Sequence, residues 1–342
     1  MKTNSRKYSN VGYIKFLAAM LVIISHAFPL STGEFKGEVL VILSKNQITM
    51  GSFAVCIFFF YSGFFISKSL HKDNRLNHFF RKRVVRIFPI LFLTIFISTL
   101  IMGPIVSTLS FKEYLTCKET YLYFMNAFLI PYHILPGVFE KNIYGSVVNG
   151  SLWTLPVEFA CYLYSYILVK LRMNKELNVK KIIILCFASL IVKDILNHAG
   201  HDNILFSMIL PFTMYNMGIY YQIRNENKKY NWNRLFVNCF LIIISNLLGI
   251  LQYGLIIALP YVLVYFGMEI KEIKYEFIIK DISYYIYLCA FPIQQIIVCL
   301  YGGKMNPYTN ICIAIPISIV IGIAMYYVEK YMFEVVKTKE II

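Results

Sequence analysis

The run Tyr13–Leu30, YIKFLAAMLVIISHAFPL, decides how the rest of the chain is read. It is apolar almost throughout, interrupted by one lysine and one histidine. A bilayer core of about 30 Å takes about 20 residues of helix at a rise of about 1.5 Å each, so a run of this length can cross one. Runs of the same kind recur along the sequence, with approximate limits 13–31, 48–67, 87–109, 151–170, 182–198, 203–222, 235–250, 253–268, 282–301 and 309–328. The expectation is an all-α, polytopic membrane helix bundle of about ten transmembrane helices. Runs seven and eight are short and divided only by Gly249 to Gly254. A tight hairpin and a single bent element are both open there, and the second lowers the count to nine.

Composition points the same way. Of 342 residues, 58% are hydrophobic and 15% charged, against about 25% charged in a soluble domain. That excludes a disordered chain. The net charge of +15 would suggest nucleic acid in a soluble protein. Here it is explained by cations gathering on the cytoplasmic side. With the N-terminus inside, 25 of the 33 Lys and Arg residues fall in inside segments and 7 in outside ones, Lys15 lying within the first run. Both termini are therefore expected to be cytoplasmic, a split that nine spans would spoil, and no nucleic-acid partner is expected. The eight cysteines are dispersed, mostly in or beside apolar stretches, and read as buried free thiols. No C-x-x-C spacing suggests a metal, and the first run shows no small-residue cleavage site. The chain reads as a single transmembrane domain over 1–342, with no separate soluble domain and no internal repeat. Its longest connection, about 110–150 on the outer side, reads as a lid or a partly re-entrant segment.

Ionisable side chains within spans are costly and are functional candidates by default. Lys15 and His26 are 11 residues apart, about 20° beyond three full turns, so they share one helix face about 16 Å apart along the axis. Lys15 then lies near the cytoplasmic end and His26 near the outer end. Glu158 sits about 10 Å below the outer edge of its own run, at a depth similar to His26. A carboxylate beside an imidazole orients it and raises its basicity, although sequence alone does not place the two helices side by side. Each residue has a structural alternative: snorkelling for Lys15, a helix–helix hydrogen bond for His26 and a structural pair for Glu158. In FFRKRVVRIFP, residues 79–89, Arg83 and Arg86 are three apart and would form a fork-like anion site on a helix. The alternative is plain cytoplasmic charge. Trp153 can be an interfacial aromatic, and Ser62 with Gly63 can serve close helix packing.

These stretches together resemble the acyltransferase-3 family of integral membrane acyltransferases. The family opens its first span with a basic residue, ten residues and a histidine, matched by Lys15 to His26. FFFYSGFFIS (Phe58 to Ser67) matches its FF-x-x-SGF-type stretch, and RVVRIFP (Arg83 to Pro89) its R-x-x-R-I-x-P pattern. LPGVF (Leu135 to Phe139) and VNGSLWTLPVEFACYL (Val148 to Leu163) resemble its N-G-S-L-W-T-L-x-x-E signature almost letter for letter. DISYYIYLCAFPIQQ (Asp281 to Gln295) resembles its ISY-x-x-YL-x-H-x-P segment, and YYVEK (Tyr326 to Lys330) its terminal W-x-x-x-E-K element. Three positions depart: Lys15 stands for the usual arginine, Ala290 for the histidine of YL-x-H-x-P, and Gly12 where an acidic residue is common.

The resemblance implies an acyl-CoA donor, commonly acetyl-CoA, with no permanently bound cofactor and no metal. It implies a sugar-hydroxyl acceptor in an envelope polysaccharide or its lipid-linked precursor, in a multi-pass protein of the bacterial cytoplasmic (inner) membrane surrounded by lipid. On this reading Arg83 and Arg86 hold the donor's phosphates, and its pantetheine arm passes Ser62, Gly63 and Lys15. The acceptor enters past Asn149, Ser151 and Trp153, His26 is the general base and Glu158 orients it. An acyl-histidine intermediate is a less favoured variant. A rival is a transporter or flippase for a lipid-linked sugar, with His26, Glu158 and Lys15 as a proton relay. A third reading is a non-catalytic envelope-assembly subunit. Thioester turnover by the purified protein separates enzyme from transporter.

Overall fold

A computed structural model describes residues 10–198, 204–224, 230–270 and 282–339. The described residues are helical apart from turns and one isolated antiparallel bridge, Ile134 with Val147. Helix α1 spans Val11–Thr32, α2 Val39–Leu43, α3 Met50–Lys72 and α4 Leu76–Ile97. A π-helical turn, Ser98–Met102, carries α4 into α5, Gly103–Val106. The connection that follows holds α6 (Phe111–Thr116), α7 (Lys118–Leu122) and two 3-10 turns, Tyr123–Phe128 and Gly150–Trp153. Then come α8 (Thr154–Lys170), α9 (Glu176–His198), α10 (Ile209–Arg224), α11 (Trp232–Leu247), α12 (Leu251–Val264), α13 (Ser283–Leu300) and α14 (Pro307–Lys339).

Helices cover most of each of the ten apolar runs, residue 203 of the sixth lying outside the described residues, but seven candidate spans, not ten, are long and apolar enough to cross a membrane among the described residues. The runs in α9, α10 and α11 fall short of that measure for physical reasons. Lys180, Lys181, Lys193 and Asp194 interrupt α9, while α10 and α11 have 16 residues each. The choice left open at Gly249 resolves as two helices. Gly249 takes φ 77°, and the N–H groups of Gly249 and Ile250 return to the carbonyls of Asn246 and Ser245 at 3.1 and 2.9 Å. The long connection between α5 and α8 contains short helices, with Ser107 Oγ donating to the Pro136 carbonyl at 2.8 Å and Thr108 N–H to that of Gly137 at 2.9 Å.

The chain forms two compact units. The first contains Met1–Ala18, Val39–Phe80 and Val157–Glu276. Its centre is the packing of α3 on α10, where two glycines let the backbones touch. A Cβ on Gly63 would lie 2.0 Å from the Tyr215 carbonyl oxygen, and one on Gly218 2.1 Å from that of Phe60. Small residues serve this purpose where lipid gives helices no hydrophobic reason to associate. Ser67 Oγ adds a 2.8 Å hydrogen bond to Gln222 Oε1, and Tyr61 Oη donates to the Leu263 carbonyl at 2.7 Å. At the turn between α3 and α4, Asp73 accepts from Arg75 Nε and Nη2 at 3.1 and 2.9 Å. The Arg75 hydrogen bonds hold the Asp73 carboxyl well below the usual carboxylate range.

The second unit contains Ala19–Glu38, Arg81–Pro156 and Phe277–Ile342. Its best-buried helix is α13, which packs along α14. Tyr285 Oη donates to Glu329 of α14, and Gly322 leaves room for Ile286. All eight cysteines are free thiols. Gly63→Ala and Gly218→Ala each force the α3–α10 backbones apart and are expected to cost about 1–3 kcal/mol, as overpacking does. Thermal unfolding of the detergent-solubilised protein reads the loss, and an unchanged melting temperature in both would refute the backbone contact.

Candidate active site

The site of the second unit is organised by a proline. Pro292 lies inside α13 and has no N–H, so the Leu288 carbonyl four residues earlier has no helical donor. In apolar surroundings such a group must find another partner. Asn149 Nδ2 supplies it at 2.8 Å. The other end of the same amide, Oδ1, accepts from Ser151 N–H at 3.1 Å and caps the 3-10 turn Gly150–Trp153. Tyr287 Oη donates to the Ser151 carbonyl at 3.0 Å and lies 2.7 Å from Thr154 Oγ1. The segment NGSLWT is thus clamped to α13 through its own backbone.

That clamp brings His26 and the signature segment onto one ring. The Phe291 edge meets the His26 imidazole with centroids 5.2 Å apart and planes at 75°. Gly150 presses the same ring, since a Cβ there would come 2.7 Å from it. His26 Nδ1 and Ser151 Oγ are both buried without a hydrogen-bond partner. Buried polar atoms are nearly always paired, and exceptions call for an explanation such as a bound or reacting group. One turn before His26, the Ile23 carbonyl accepts from Gln294 Nε2 at 2.9 Å, and Gln294 also reaches Asn310 Oδ1 at 3.1 Å. Gln295 Nε2 donates to the Val147 carbonyl at 2.7 Å, and Asn142 Nδ2 to Gln295 Oε1 at 2.8 Å. Tyr284 Oη donates to the Ile87 carbonyl at 3.1 Å. So the histidine motif, the R-x-x-R-I-x-P stretch, NGSLWT and YYVEK all meet side chains or carbonyls of α13.

The first unit gathers other predicted residues. Glu158 accepts from Ser62 Oγ at 3.3 Å and from the Tyr162 hydroxyl one turn further along α8. Ser62, expected along the donor's path, therefore also holds the carboxylate. Lys15 Nζ lies 5.5 Å from the centre of the Phe65 ring, which stacks on Tyr61. Glu158 belongs to the first unit and His26 to the second. Arg83 and Arg86 sit three apart on α4, as expected, with Arg83 half-buried and Arg86 exposed. Asn149, expected at the acceptor, is buried with both ends of its amide engaged, and braces the turn Gly150–Trp153. Trp153 is half-buried at the end of its turn. Among the described residues, no group of three or more His, Cys, Asp and Glu is placed to hold a metal ion.

Sequence reasoning passed over Phe291, Tyr287, Gln294, Gln295 and Tyr162. Two signals were present: the polar pair Gln294–Gln295 inside an apolar run, and Tyr162 four residues after Glu158, the spacing of side chains that meet on a helix.

The described residues thus hold seven helices long and apolar enough to cross a membrane, and an imidazole beside a ring pressed by a braced signature segment. The model of the family described as "Acyltransferase domain" matches residues 8–327, and the chain belongs to this acyltransferase-3 family. The chain is 28% identical over 297 residues to the "O-acetyl transferase" of Shigella phage Sf6, covering 83% of this chain and 84% of that protein. It is 30% identical over 160 residues to "Nodulation protein 10" of Rhizobium leguminosarum bv. viciae, covering 45% of this chain and 42% of that one. No solved structure matches it.

Gly150→Ala drives a methyl group into Phe291 and so disturbs the ring against His26. It is expected to lower acyl transfer about tenfold or more, the usual cost of small misplacement at a reacting group. Adding Phe291→Leu should restore part of that rate, measured as product acylation per unit of folded protein. A double variant no better than Gly150→Ala alone would refute the steric route.

Proposed function

We propose that the protein transfers an acyl group, acetyl in the simplest case, from cytoplasmic acyl-CoA to a sugar hydroxyl. The acceptor is an envelope polysaccharide or its lipid-linked precursor on the outer side of the bacterial cytoplasmic membrane. The observation that carries this reading is the buried, unpartnered His26 Nδ1 within an acyltransferase domain. The name of the phage relative, "O-acetyl transferase", supports an acetyl group and an oxygen acceptor.

In the proposed reaction the hydroxyl oxygen attacks the thioester carbonyl carbon. A C–O bond forms, the C–S bond breaks, and the hydroxyl proton passes to the His26 imidazole and then to the departing CoA thiolate. An imidazole nitrogen without a competing protein partner is free to take that proton. The ester stays on the sugar, so no covalent enzyme intermediate is required. Arg83 and Arg86 offer two guanidinium groups one helical turn apart to the phosphates of the donor. Lys15 supplies a further cation, as a point charge rather than a fork. Ser151 and Trp153 are assigned to the acceptor, with Asn149 bracing them. Glu158, held by Ser62 and Tyr162, is the carboxylate assigned to support the base.

Glycan from cells carrying wild-type protein, His26→Ala or no gene is compared by NMR before and after mild alkali. Alkali-labile acyl signals are expected in the wild type only, with transfer by His26→Ala reduced about 100-fold or more, the weight of a general base. Wild-type acylation by His26→Ala would refute the mechanism. Purified wild-type protein should also consume acyl-CoA thioester, which a flippase would not. If Glu158 serves the same proton transfer, Glu158→Gln combined with His26→Ala should lose no more than His26→Ala alone, since groups acting as a unit are not additive.

A further inference from the structure

The first unit contains a cleft that the acyl-transfer reading does not use. It has a cavity volume of about 210 Å³ and is lined by Tyr220, Tyr230, Tyr261, Arg224, Arg234 and Asn238. Its charge is unbalanced. Arg224 Nε pairs with Glu176 Oε1 at 3.2 Å, and Lys180 Nζ reaches the same oxygen at 3.0 Å. Among the described residues the lining itself holds two cations, Arg224 and Arg234, and no carboxylate. The guanidinium of Arg224 lies 5.4 Å from the Tyr220 ring centre, and its Nη1 donates to Tyr220 Oη at 2.5 Å. The opposite wall is firm: the Tyr230 and Tyr261 rings are 5.1 Å apart, and Tyr261 Oη accepts from Asn231 N–H at 2.9 Å. Such a cleft suits a phosphate, met by guanidinium forks and phenol hydroxyls.

The surface beyond the cleft says what the phosphate is attached to. Arg234 and Asn238 lie on one stripe of α11, and the stripe continues as Val237 and Leu241, which are 54% and 41% exposed. Trp232, at the start of the same helix, is 66% exposed and is of the residue type that anchors helices at a membrane–water boundary. A ligand with an anionic head in the cleft would therefore lay an acyl chain on α11. A soluble anion would leave that stripe unused. We infer that this cleft is a headgroup site for an anionic glycerophospholipid, with Arg234 and Arg224 on the phosphate and Val237 and Leu241 under the chain. A zwitterionic choline headgroup fits less well, because its own cation meets the two arginines of the lining.

The full-length protein in a neutral detergent is titrated, with native mass spectrometry as readout, using dioleoylphosphatidylglycerol and dioleoylphosphatidylcholine, and inorganic phosphate in competition. The glycerol lipid is expected to be held about tenfold more tightly than the choline lipid, the scale of one charge-assisted hydrogen bond. Arg234→Gln should abolish this preference and Arg234→Lys should keep part of it, with both variants eluting as the wild type does. Equal affinity for the two lipids in the wild type overturns the assignment whatever the variants do, and so does an unaltered preference in a folded Arg234→Gln protein. Displacement of the lipid by inorganic phosphate at equal concentration overturns the lipid source in favour of a soluble phosphate.

Discussion

The second unit depends on one carbonyl group. Pro292 deprives Leu288 O of its helical donor, and the amide of Asn149 takes the vacancy at 2.8 Å. A helix proline is usually considered a weakness, but here it opens a polar port in an otherwise closed hydrogen-bond ladder. Because Asn149 spends its nitrogen on Leu288 and its oxygen on Ser151 N–H, the turn Gly150–Trp153 takes its position from α13. Gly150 then fits against Phe291, and Phe291 against His26. The position of the imidazole thus traces back, contact by contact, to a missing N–H.

Other amides of this unit find partners through their nitrogens. Gln294, Gln295, Asn142 and Asn310 carry amides into a region with little water, and each is tied to a carbonyl or another amide. Some buried atoms of the unit stay without a partner: His26 Nδ1, Ser151 Oγ, His133 Nδ1, Asn142 Oδ1, Gln294 Oε1 and Ser318 Oγ. His26 Nδ1 and Ser151 Oγ flank the residues that Phe291 and Asn149 hold in place. In the first unit the corresponding economy is steric: Gly63 and Gly218 remove side chains so that two backbones can meet, and Ser67 and Gln222 close the seam. The SGF stretch therefore owes its glycine to helix packing, while its serine, Ser62, reaches Glu158.

Much of this was legible in the sequence, for identifiable reasons. Apolar runs report helices directly, so helices cover most of each of the ten runs among the described residues. Span counting was less secure, because α9 carries Lys193 and Asp194 in its apolar length and α10 and α11 are short. The motif order carried the family, now established by a match over residues 8–327. Contacts between distant positions were not legible. Nothing local to Phe291 announces that it faces His26, and Asn149 looks like an acceptor ligand until its two amide atoms are found engaged. The pairing of Pro292 with Asn149 could have been inferred only by asking which side chain answers the Leu288 carbonyl.

The same pairing sets an order of assembly. Leu288 lies 139 residues after Asn149, in a helix made long after the signature segment. Until α13 is made, the NGSLWT segment has no carbonyl to grip, and its turn is capped only by its own asparagine. Synthesis proceeds from the N-terminus, and contacts so distant in sequence close last. The signature segment is therefore translated early but matures late. A ribosome stalled before Ser283 would carry every residue assigned here to chemistry, yet hold an immature site: inactivity of the nascent chain is built into the order in which its helices are made.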